Sequence, residues 1–171
     1  ALVLPVYEGT SQIQSLMALK DLLGNAIKDP TTFVANATAA RAAATFTRGL
    51  DRAYHQAEVK LYQSVEAVLA RILGTKVKSE WQTLTQGGLS EKLDYLKSKF
   101  LRSWDAKQDF AHGLVHAERI TRILCDLHVA RILLKQGKEH PERLVYAKRW
   151  IMRMVPRVTA LSLEVTSSDL D

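Results

Sequence analysis

One apolar stripe, between residues 50 and 72, constrains the fold of this chain more than any other feature. Its members advance along the sequence by steps of three and four: Leu50, Tyr54, Ala57, Leu61, Val65, Val68 and Ile72. Steps of this size place side chains on one face of an α-helix. A long amphipathic helix must bury that face against another element. The stripe therefore predicts a core helix near residues 50 to 73.

The other segments show the same helical period, and none shows sustained alternation with a period of two. Ser11 and Gln14 have the spacing of a capping box, and Asp29 and Pro30 form a cap and first-turn pair. Helices are predicted at about residues 11–27, 31–47, 106–136 and 141–162, with one more after Ser90. The Ala-rich helix at 31–47 is open to two interpretations, a separate helix or one continuous with the core helix.

Short connections at Gly87-Gly88 and at Gly137 favour antiparallel neighbours. The sequence therefore predicts an all-α fold, an antiparallel helical bundle. Residues expected to face inward in the first helix are Ile13, Leu16, Met17, Leu23 and Ile27; in the fourth, Ile120, Ile123, Leu124, Cys125, Leu127 and Leu134; in the last, Leu144, Ile151, Met154, Val155, Val158 and Leu161.

The composition of the chain excludes few classes of binding partner. The chain is 47% hydrophobic, with apolar runs too short for a membrane span of ~20 residues. The single cysteine, Cys125, excludes an internal disulfide and fits a reducing compartment. A formal charge of +6 is compatible with nucleic acid, anionic lipid or a phosphorylated ligand.

Two side-chain groups allow a functional and a structural interpretation. His112 and His116 have the spacing of two metal ligands on a helix, but no third ligand follows at motif distance, so polar helix residues are the alternative and no metal is expected. Arg149, Arg153 and Arg157 share one face of the last helix, which is either a phosphate-binding surface or a solvated face or an ion-paired contact with a neighbouring subunit. Tyr146 and Trp150 on the same helix are expected to pack rather than stack on bases.

The stretch Tyr7-Glu8-Gly9-Thr10-Ser11-Gln12-Ile13, followed by an amphipathic helix, resembles the C-terminal signature of the acyl-CoA dehydrogenases. The resemblance covers about the first 28 residues. It implies that Glu8 is the catalytic base that removes the α-proton of an acyl-CoA thioester while hydride passes to FAD. It also implies that Tyr7 and Gly9 contact the substrate and that Thr10, Ser11 and Gln12 contact FAD.

The same resemblance divides the chain. Residues 1–28 are expected to end the catalytic helical domain, and residues 29–171 to form a helical C-terminal extension that serves subunit packing or substrate enclosure. The chain is then the C-terminal region of a longer enzyme of the extended type. Residues 10–12 supply only one edge of the FAD site, so we do not expect this chain alone to hold FAD.

The resemblance further implies as partners an acyl-CoA substrate, an electron-transfer flavoprotein or similar acceptor, the remainder of the polypeptide, and further copies in a dimer or tetramer. A bacterial cytoplasmic location is expected, with a mitochondrial one left open. The alternative is a non-catalytic helical module of the same family that binds nucleic acid or an anionic membrane through the basic last helix.

Overall fold

All regular structure in the described part of the chain is helical. The computed structural model describes residues 8–84 and 111–167, and it describes side chains for residues 11–72 and 115–167. These ranges contain the helices α1 (Glu8–Lys28), α2 (Pro30–Phe46), α3 (Gly49–Leu84), α4 (Ala111–Glu139) and α5 (Leu144–Thr166), and a 3-10 turn at Pro141–Arg143 that leads into α5. The predicted all-α class is confirmed. The turn predicted at Gly87-Gly88, the helix after Ser90 and the helix start near 106 lie outside the described residues.

Helix α2 begins as the sequence predicts. The Asp29 carboxylate accepts a hydrogen bond from the backbone N–H of Thr32 at 3.0 Å, and Pro30 occupies the first turn. Hydrogen bonds from Thr32 stabilise the ionised carboxylate and lower the pKa of Asp29. The helix ends at Phe46, and Gly49 begins α3 with a φ of 59°. Of the two interpretations of the Ala-rich segment, a separate helix is therefore correct, because this left-handed conformation interrupts the helical path.

The start of α1 differs from the prediction. The helix begins at Glu8, so Ser11 lies inside it and does not cap its N-terminus. The predicted capping box of Ser11 and Gln14 is wrong, and both side chains are exposed. An acidic residue such as Glu8 in the first turn suits the free N–H groups and the positive end of the helix dipole.

Helices α3, α4 and α5 form the centre of the bundle. Lys138 near the end of α4 contacts Asp51 near the start of α3, with Nζ 3.1 Å from Oδ1. Arg119 in the first half of α4 contacts Glu164 near the end of α5, with Nε 2.6 Å from Oε2. Both pairs join opposite ends of neighbouring helices, so α4 runs antiparallel to α3 and to α5, as predicted.

The stripe on α3 faces the core that these helices share. Leu50 is partly buried. The other six residues of the stripe are buried, and Val65 and Val68 have no exposed surface. Ile120 and Ile123 of α4 are fully buried against them. The inward face predicted for α3 is therefore confirmed.

Two serines allow α3 and α5 to approach closely in parallel. Ser64 Oγ lies 3.0 Å from Ser162 Oγ, and the two side chains are 0% and 2% exposed. Ser64 Oγ lies 2.9 Å and Ser162 Oγ 3.2 Å from the carbonyl oxygen of Lys60. Small side chains bring the backbones together, and the shared hydrogen bonds satisfy hydroxyls that water does not reach.

The connection from α4 to α5 depends on Gly137. A β-carbon at this position would lie 2.8 Å from Leu144 Cδ1 and 3.2 Å from Leu144 Cα. An alanine here would require the Leu144 side chain to turn and its backbone to move by a few tenths of an ångström. Leu144 itself remains 42% exposed, so its predicted inward position is wrong.

Candidate functional site

Helix α1 carries the residues that the family resemblance singles out. Glu8 is its first residue, while Tyr7 lies outside the described residues. The side chains of residues 8–10 also lie outside the described part of the structure. Ser11 and Gln12, the next two residues, are exposed. The roles that the resemblance assigns to this stretch stay predictions.

The middle of α1 is anchored in the bundle. Leu19 and Leu23 are fully buried in the same core as α3, α4 and α5. The hydroxyl of Thr121 on α4 donates a hydrogen bond of 3.4 Å to the backbone oxygen of Ser15, which is 7% exposed. Helix α1 therefore packs along α4. Its first two turns continue from this packed segment.

Two apolar side chains on the otherwise polar outer face of α1 are uncovered in the described structure. Ile13 and Met17 were expected to face inward, but they are 56% and 57% exposed. Their predicted position is wrong because α4 packs on the face that carries Ser15, Leu19 and Leu23, roughly opposite to them. Apolar residues occur on both sides of α1, so its sequence pattern did not decide which side is buried.

Two residues with metal or thiol chemistry differ from their expected positions. His116 was weighed as a partly exposed polar residue or a metal ligand, but it is 3% exposed and faces the core; the side chain of His112 lies outside the described ones. Among the described residues, no group of three or more His, Cys, Asp or Glu side chains could hold a metal ion. Cys125 is exposed rather than packed in the core.

One arginine on the basic face of α5 forms an ion pair within the bundle. Arg157 Nε and Nη2 donate hydrogen bonds of 2.7 and 2.6 Å to the two carboxylate oxygens of Asp126 on α4. The Asp126 side chain is only 10% exposed, and its hydrogen bonds raise the pKa of Arg157 above its ordinary value. The Trp150 ring lies under this guanidinium and donates from Nε1 to the Asp126 backbone oxygen at 3.1 Å. Arg157 and Trp150 therefore join α5 to α4.

Arg149 and Arg153 remain on the surface of α5. Both are exposed, and neither has a carboxylate partner within the described part of the chain. Tyr146 and Met152 lie on the same helix and are 59% and 67% exposed, so the packing role predicted for Tyr146 is wrong. Of the three arginines that the sequence suggested for phosphate binding, only Arg149 and Arg153 have no carboxylate partner in the described part of the chain.

A cavity of about 540 Å³ lies where α1, α2, α3 and α4 meet. Its floor is apolar and is formed mainly by Leu22, Ala26, Leu61, Val65, Leu124 and Leu127. Phe33 of α2 closes one side and packs edge-on against Tyr62 with ring centroids 5.5 Å apart. The polar side chains of the cavity come from all four helices, so no single segment of the sequence contains the site.

Two tyrosine hydroxyls and one carboxylate line the α3 side of the cavity. Tyr54 donates a hydrogen bond of 3.3 Å to Glu58, which also lies 2.9 Å from His55 Nδ1. Burial, reinforced by the negative charge of Glu58, raises the pKa of Tyr54 to about 12. Burial likewise raises the pKa of Tyr62. Both phenols are therefore neutral hydrogen-bonding groups at physiological pH.

Comparison of the chain with protein-family models, with curated proteins and with solved structures gives no match. Functional argument therefore starts from the residues themselves. None of the described helices is long and apolar enough to cross a lipid bilayer.

Sequence reasoning missed the cavity and the Asp126–Arg157 pair. Asp126 had a usable signal, because it lies three residues after Ile123 and four before Ala130, both inward residues of α4. A carboxylate in that register needs a partner, since an unpaired buried charge is strongly unfavourable. The cavity had no comparable signal, since it exists only where four helices meet.

Proposed function

We propose that this chain forms the C-terminal part of a flavin-dependent acyl-CoA dehydrogenase and that α1 presents its catalytic base, Glu8. The proposal rests on one observation, the contiguous stretch from Tyr7 to Ile13 at the start of a long amphipathic helix. The packing of α1 supports it, because a base must be held in a defined position and Leu19 and Leu23 fix this helix in the core.

In this function, Glu8 accepts the α-proton of an acyl-CoA thioester. Such a proton is weakly acidic, so the carboxylate must lie close to the α-carbon and away from bulk water. Gly9 allows the backbone to approach the thioester, because a β-carbon there would intrude. Tyr7 is the second residue proposed to contact the substrate.

The residues that follow Glu8 suit one edge of an FAD site. Ser11 and Gln12 expose a hydroxyl and an amide in the first turns of α1, where free helix N–H groups also favour an anionic group. FAD bound there, with Thr10 as a third contact, would supply the hydride acceptor for the β-carbon. The remaining contacts come from other parts of the complete polypeptide.

The bundle that follows α1 serves subunit packing or enclosure of the substrate. Exposed apolar side chains on that bundle, among them Phe46 and Met152, are compatible with this role. The complete enzyme is proposed to form a dimer or tetramer and to pass electrons to an electron-transfer flavoprotein or similar acceptor.

The test is anaerobic reduction of the flavin by acyl-CoA in the complete polypeptide that contains this chain. Glu8→Gln keeps the size of the side chain and removes the proton acceptor. The reduction rate should fall by at least ~10²-fold, in the range of ~10²–10⁴ that a general base contributes. Flavin content and acyl-CoA binding should stay near those of the wild type.

Asp21→Asn is the matched control, because Asp21 is an exposed carboxylate on the same helix but outside the motif. It should reduce the flavin at the wild-type rate. Equal rates for wild type and Glu8→Gln would refute the assignment of the base. A complete polypeptide that retains no flavin at all would refute the proposed enzyme class.

A second candidate function is electrostatic binding of the outer face of α5 to a phosphate-rich partner, either nucleic acid or an anionic membrane. Arg149 and Arg153 favour it, because both are exposed and neither pairs with a carboxylate among the described residues. Binding through these residues should weaken steeply as salt rises and should be lost in Arg149→Gln/Arg153→Gln. A gel shift and a liposome pull-down distinguish the two partners, and no binding in either assay at low salt would eliminate this candidate.

A further inference from the structure

The outer face of α5 carries a row of exposed residues with little charge. The members of this row advance by steps of three and four, which keeps them on one helical face. They are Val145, Arg149, Met152, Pro156, Thr159 and Leu163. The opposite face, with Ile151, Met154 and Val158, is buried in the core. Helix α5 therefore has apolar side chains on both faces, and the described structure covers only one of them.

Three large apolar side chains of this row are open to solvent. Val145, Met152 and Leu163 are 46%, 67% and 63% exposed. At a rise of about 1.5 Å per residue, they extend over about 27 Å of helix surface. Arg149 is the only charged residue of the row. Removal of water from such a face is favourable, so the row suits a partner that offers an apolar layer.

Cations without a carboxylate partner in the described structure accompany the apolar side chains. Lys148 and Arg153 are exposed on either side of the row, and Arg149 lies within it. The only acidic residue of α5, Glu164, is already bound by Arg119 of α4, with Nε 2.6 Å from Oε2. The face therefore combines exposed apolar side chains with a net positive charge.

An anionic lipid surface matches both properties. The apolar side chains of a helix that lies on a membrane enter the boundary between headgroups and acyl chains, while Lys and Arg reach the headgroups through their long stems. A nucleic acid would match only the cations, because the residues facing its phosphates would include Val145, Met152 and Leu163. Arg157 already joins α5 to α4, so binding requires no folding of the helix.

We propose that the outer face of α5 binds an anionic membrane surface. Val145, Met152 and Leu163 enter the boundary between headgroups and acyl chains, and Lys148 and Arg153 contact the anionic headgroups on either side. The inference rests on the second candidate function and narrows its partner to lipid. It is independent of the proposed flavin enzyme.

Sedimentation of the 171-residue chain with lipid vesicles tests the proposal. One set of vesicles contains phosphatidylcholine alone, and the other contains phosphatidylcholine mixed with phosphatidylserine. Each Lys or Arg near an anionic surface contributes about fivefold to the affinity, so at low salt the anionic vesicles should bind at least tenfold more tightly than the neutral ones. Equal binding to both, or no binding to the anionic vesicles, would overturn the proposal.

Paired substitutions separate the apolar contribution from the charges. Met152→Gln/Leu163→Gln keeps every charge and should weaken binding to anionic vesicles about tenfold, because two inserted side chains become polar. Arg149→Gln/Arg153→Gln should also weaken it by at least about tenfold. Full affinity in Met152→Gln/Leu163→Gln would mean that no side chain is inserted and would overturn the proposal.

Lys20→Gln/Lys28→Gln is the matched control, because it removes the same charge from exposed residues of α1. This variant should bind anionic vesicles within about twofold of the wild type. A loss equal to that of Arg149→Gln/Arg153→Gln would show a general charge effect and overturn the assigned face. All substituted residues are exposed, and circular dichroism at 222 nm verifies that each variant is folded.

A polarity-sensitive fluorophore reports which face enters the lipid. The exposed Cys125 is first replaced by serine, so that the label attaches only at Met152→Cys or, as a control, at Lys20→Cys. Anionic vesicles should shift the emission to shorter wavelength at Met152→Cys and leave it unchanged at Lys20→Cys. The reverse pattern, or no shift at either position, would overturn the proposal.

A gel shift with duplex nucleic acid separates this inference from the broader candidate function. We expect the chain to bind anionic vesicles at least tenfold more tightly than the duplex at the same salt concentration. Binding to the duplex without binding to vesicles would overturn the lipid assignment and leave the second candidate function standing. No binding in either assay would overturn both.

Discussion

The ion pair between α4 and α5 gives the sharpest prediction about what holds this bundle together. Arg157→Met keeps an unbranched but shorter side chain beside Trp150 and removes both hydrogen bonds to Asp126. The Asp126 side chain, 10% exposed, is then left as a nearly buried carboxylate with no cationic partner. The variant should therefore lose much more stability than an ordinary surface change.

The expected loss can be bounded from the geometry. Removing one partner of a fully buried ion pair costs about 3–5 kcal/mol, and an exposed pair contributes about 0–1 kcal/mol. Here the carboxylate is almost buried, but the Arg157 side chain is 44% exposed, so water can reach part of the vacated space. A loss of about 2 kcal/mol in the free energy of unfolding follows. With a urea m-value of about 2 kcal/mol/M, the midpoint should fall by roughly 1 M.

Urea unfolding followed by circular dichroism at 222 nm measures the loss. Arg149→Met is the matched control, since Arg149 is two turns earlier on α5, is exposed and has no carboxylate partner in residues 11–72 and 115–167; its loss should be below about 0.5 kcal/mol. The double variant Asp126→Leu/Arg157→Met should be at least ~1 kcal/mol more stable than Arg157→Met, because the unpaired charge is gone. Equal midpoints for Arg157→Met and Arg149→Met would refute this reasoning.

Three further predictions concern other parts of the bundle. In the same urea assay, Gly24→Ala should stabilise the chain by about 0.5–1 kcal/mol and Gly49→Ala should destabilise it by about 1 kcal/mol. Both positions have open space for a β-carbon, but only Gly49 has a φ of 59°. A change in stability of the same sign for both variants would contradict this. In an absorbance titration at 295 nm, Tyr54→Phe should remove a transition near pH 12. Between about pH 10 and 12 only the unfolded state readily loses the Tyr54 proton, so the wild type loses stability in this range and the variant should lose less. Identical titration curves would count against burial of the phenol. Ser162→Leu should cost at least about 2 kcal/mol more than Ser162→Ala, since the leucine must separate α3 from α5, and near-equal stability would mean that the two helices are not closely packed there.

The sequence predicted the parts of the fold that strong local patterns specify. The stripe from Leu50 to Ile72 has one apolar face, so its burial followed from period alone. The break before α3 was harder, because the alanine-rich α2 is weakly amphipathic and only two residues separate the helices: the backbone is extended at Thr47, and Gly49 then has a φ of 59°. A helix with apolar residues on two sides, such as α1, takes its buried face from whichever neighbour packs on it. For that reason Ile13 and Met17 were placed wrongly.

The candidate sites, too, could be predicted from the sequence only where a local pattern specifies them. Glu8 was singled out because a contiguous motif surrounds it. The partners in the α4–α5 ion pair and in the cavity are far apart in the chain, and their association depends on helix order and direction. Asp126 and Arg157 are 31 positions apart and meet only because α4 and α5 are antiparallel. Sequence pattern could indicate that Asp126 needs a cation, but not which one.

Helix α1 joins the proposed base to the cavity and also keeps them apart. Glu8 is at its first residue, whereas the cavity begins at Leu22, so a rise of 1.5 Å per residue separates them by about 20 Å along the helix. Between them, Leu19 anchors α1 in the core and prevents a hinge at that point. A ligand in the cavity therefore cannot touch a substrate at Glu8, and it could influence the base only by shifting α1 as a rigid body on α4. Because the two places share no residue, a wild-type rate in Glu8→Gln would refute the proposed base without bearing on the packing around the cavity.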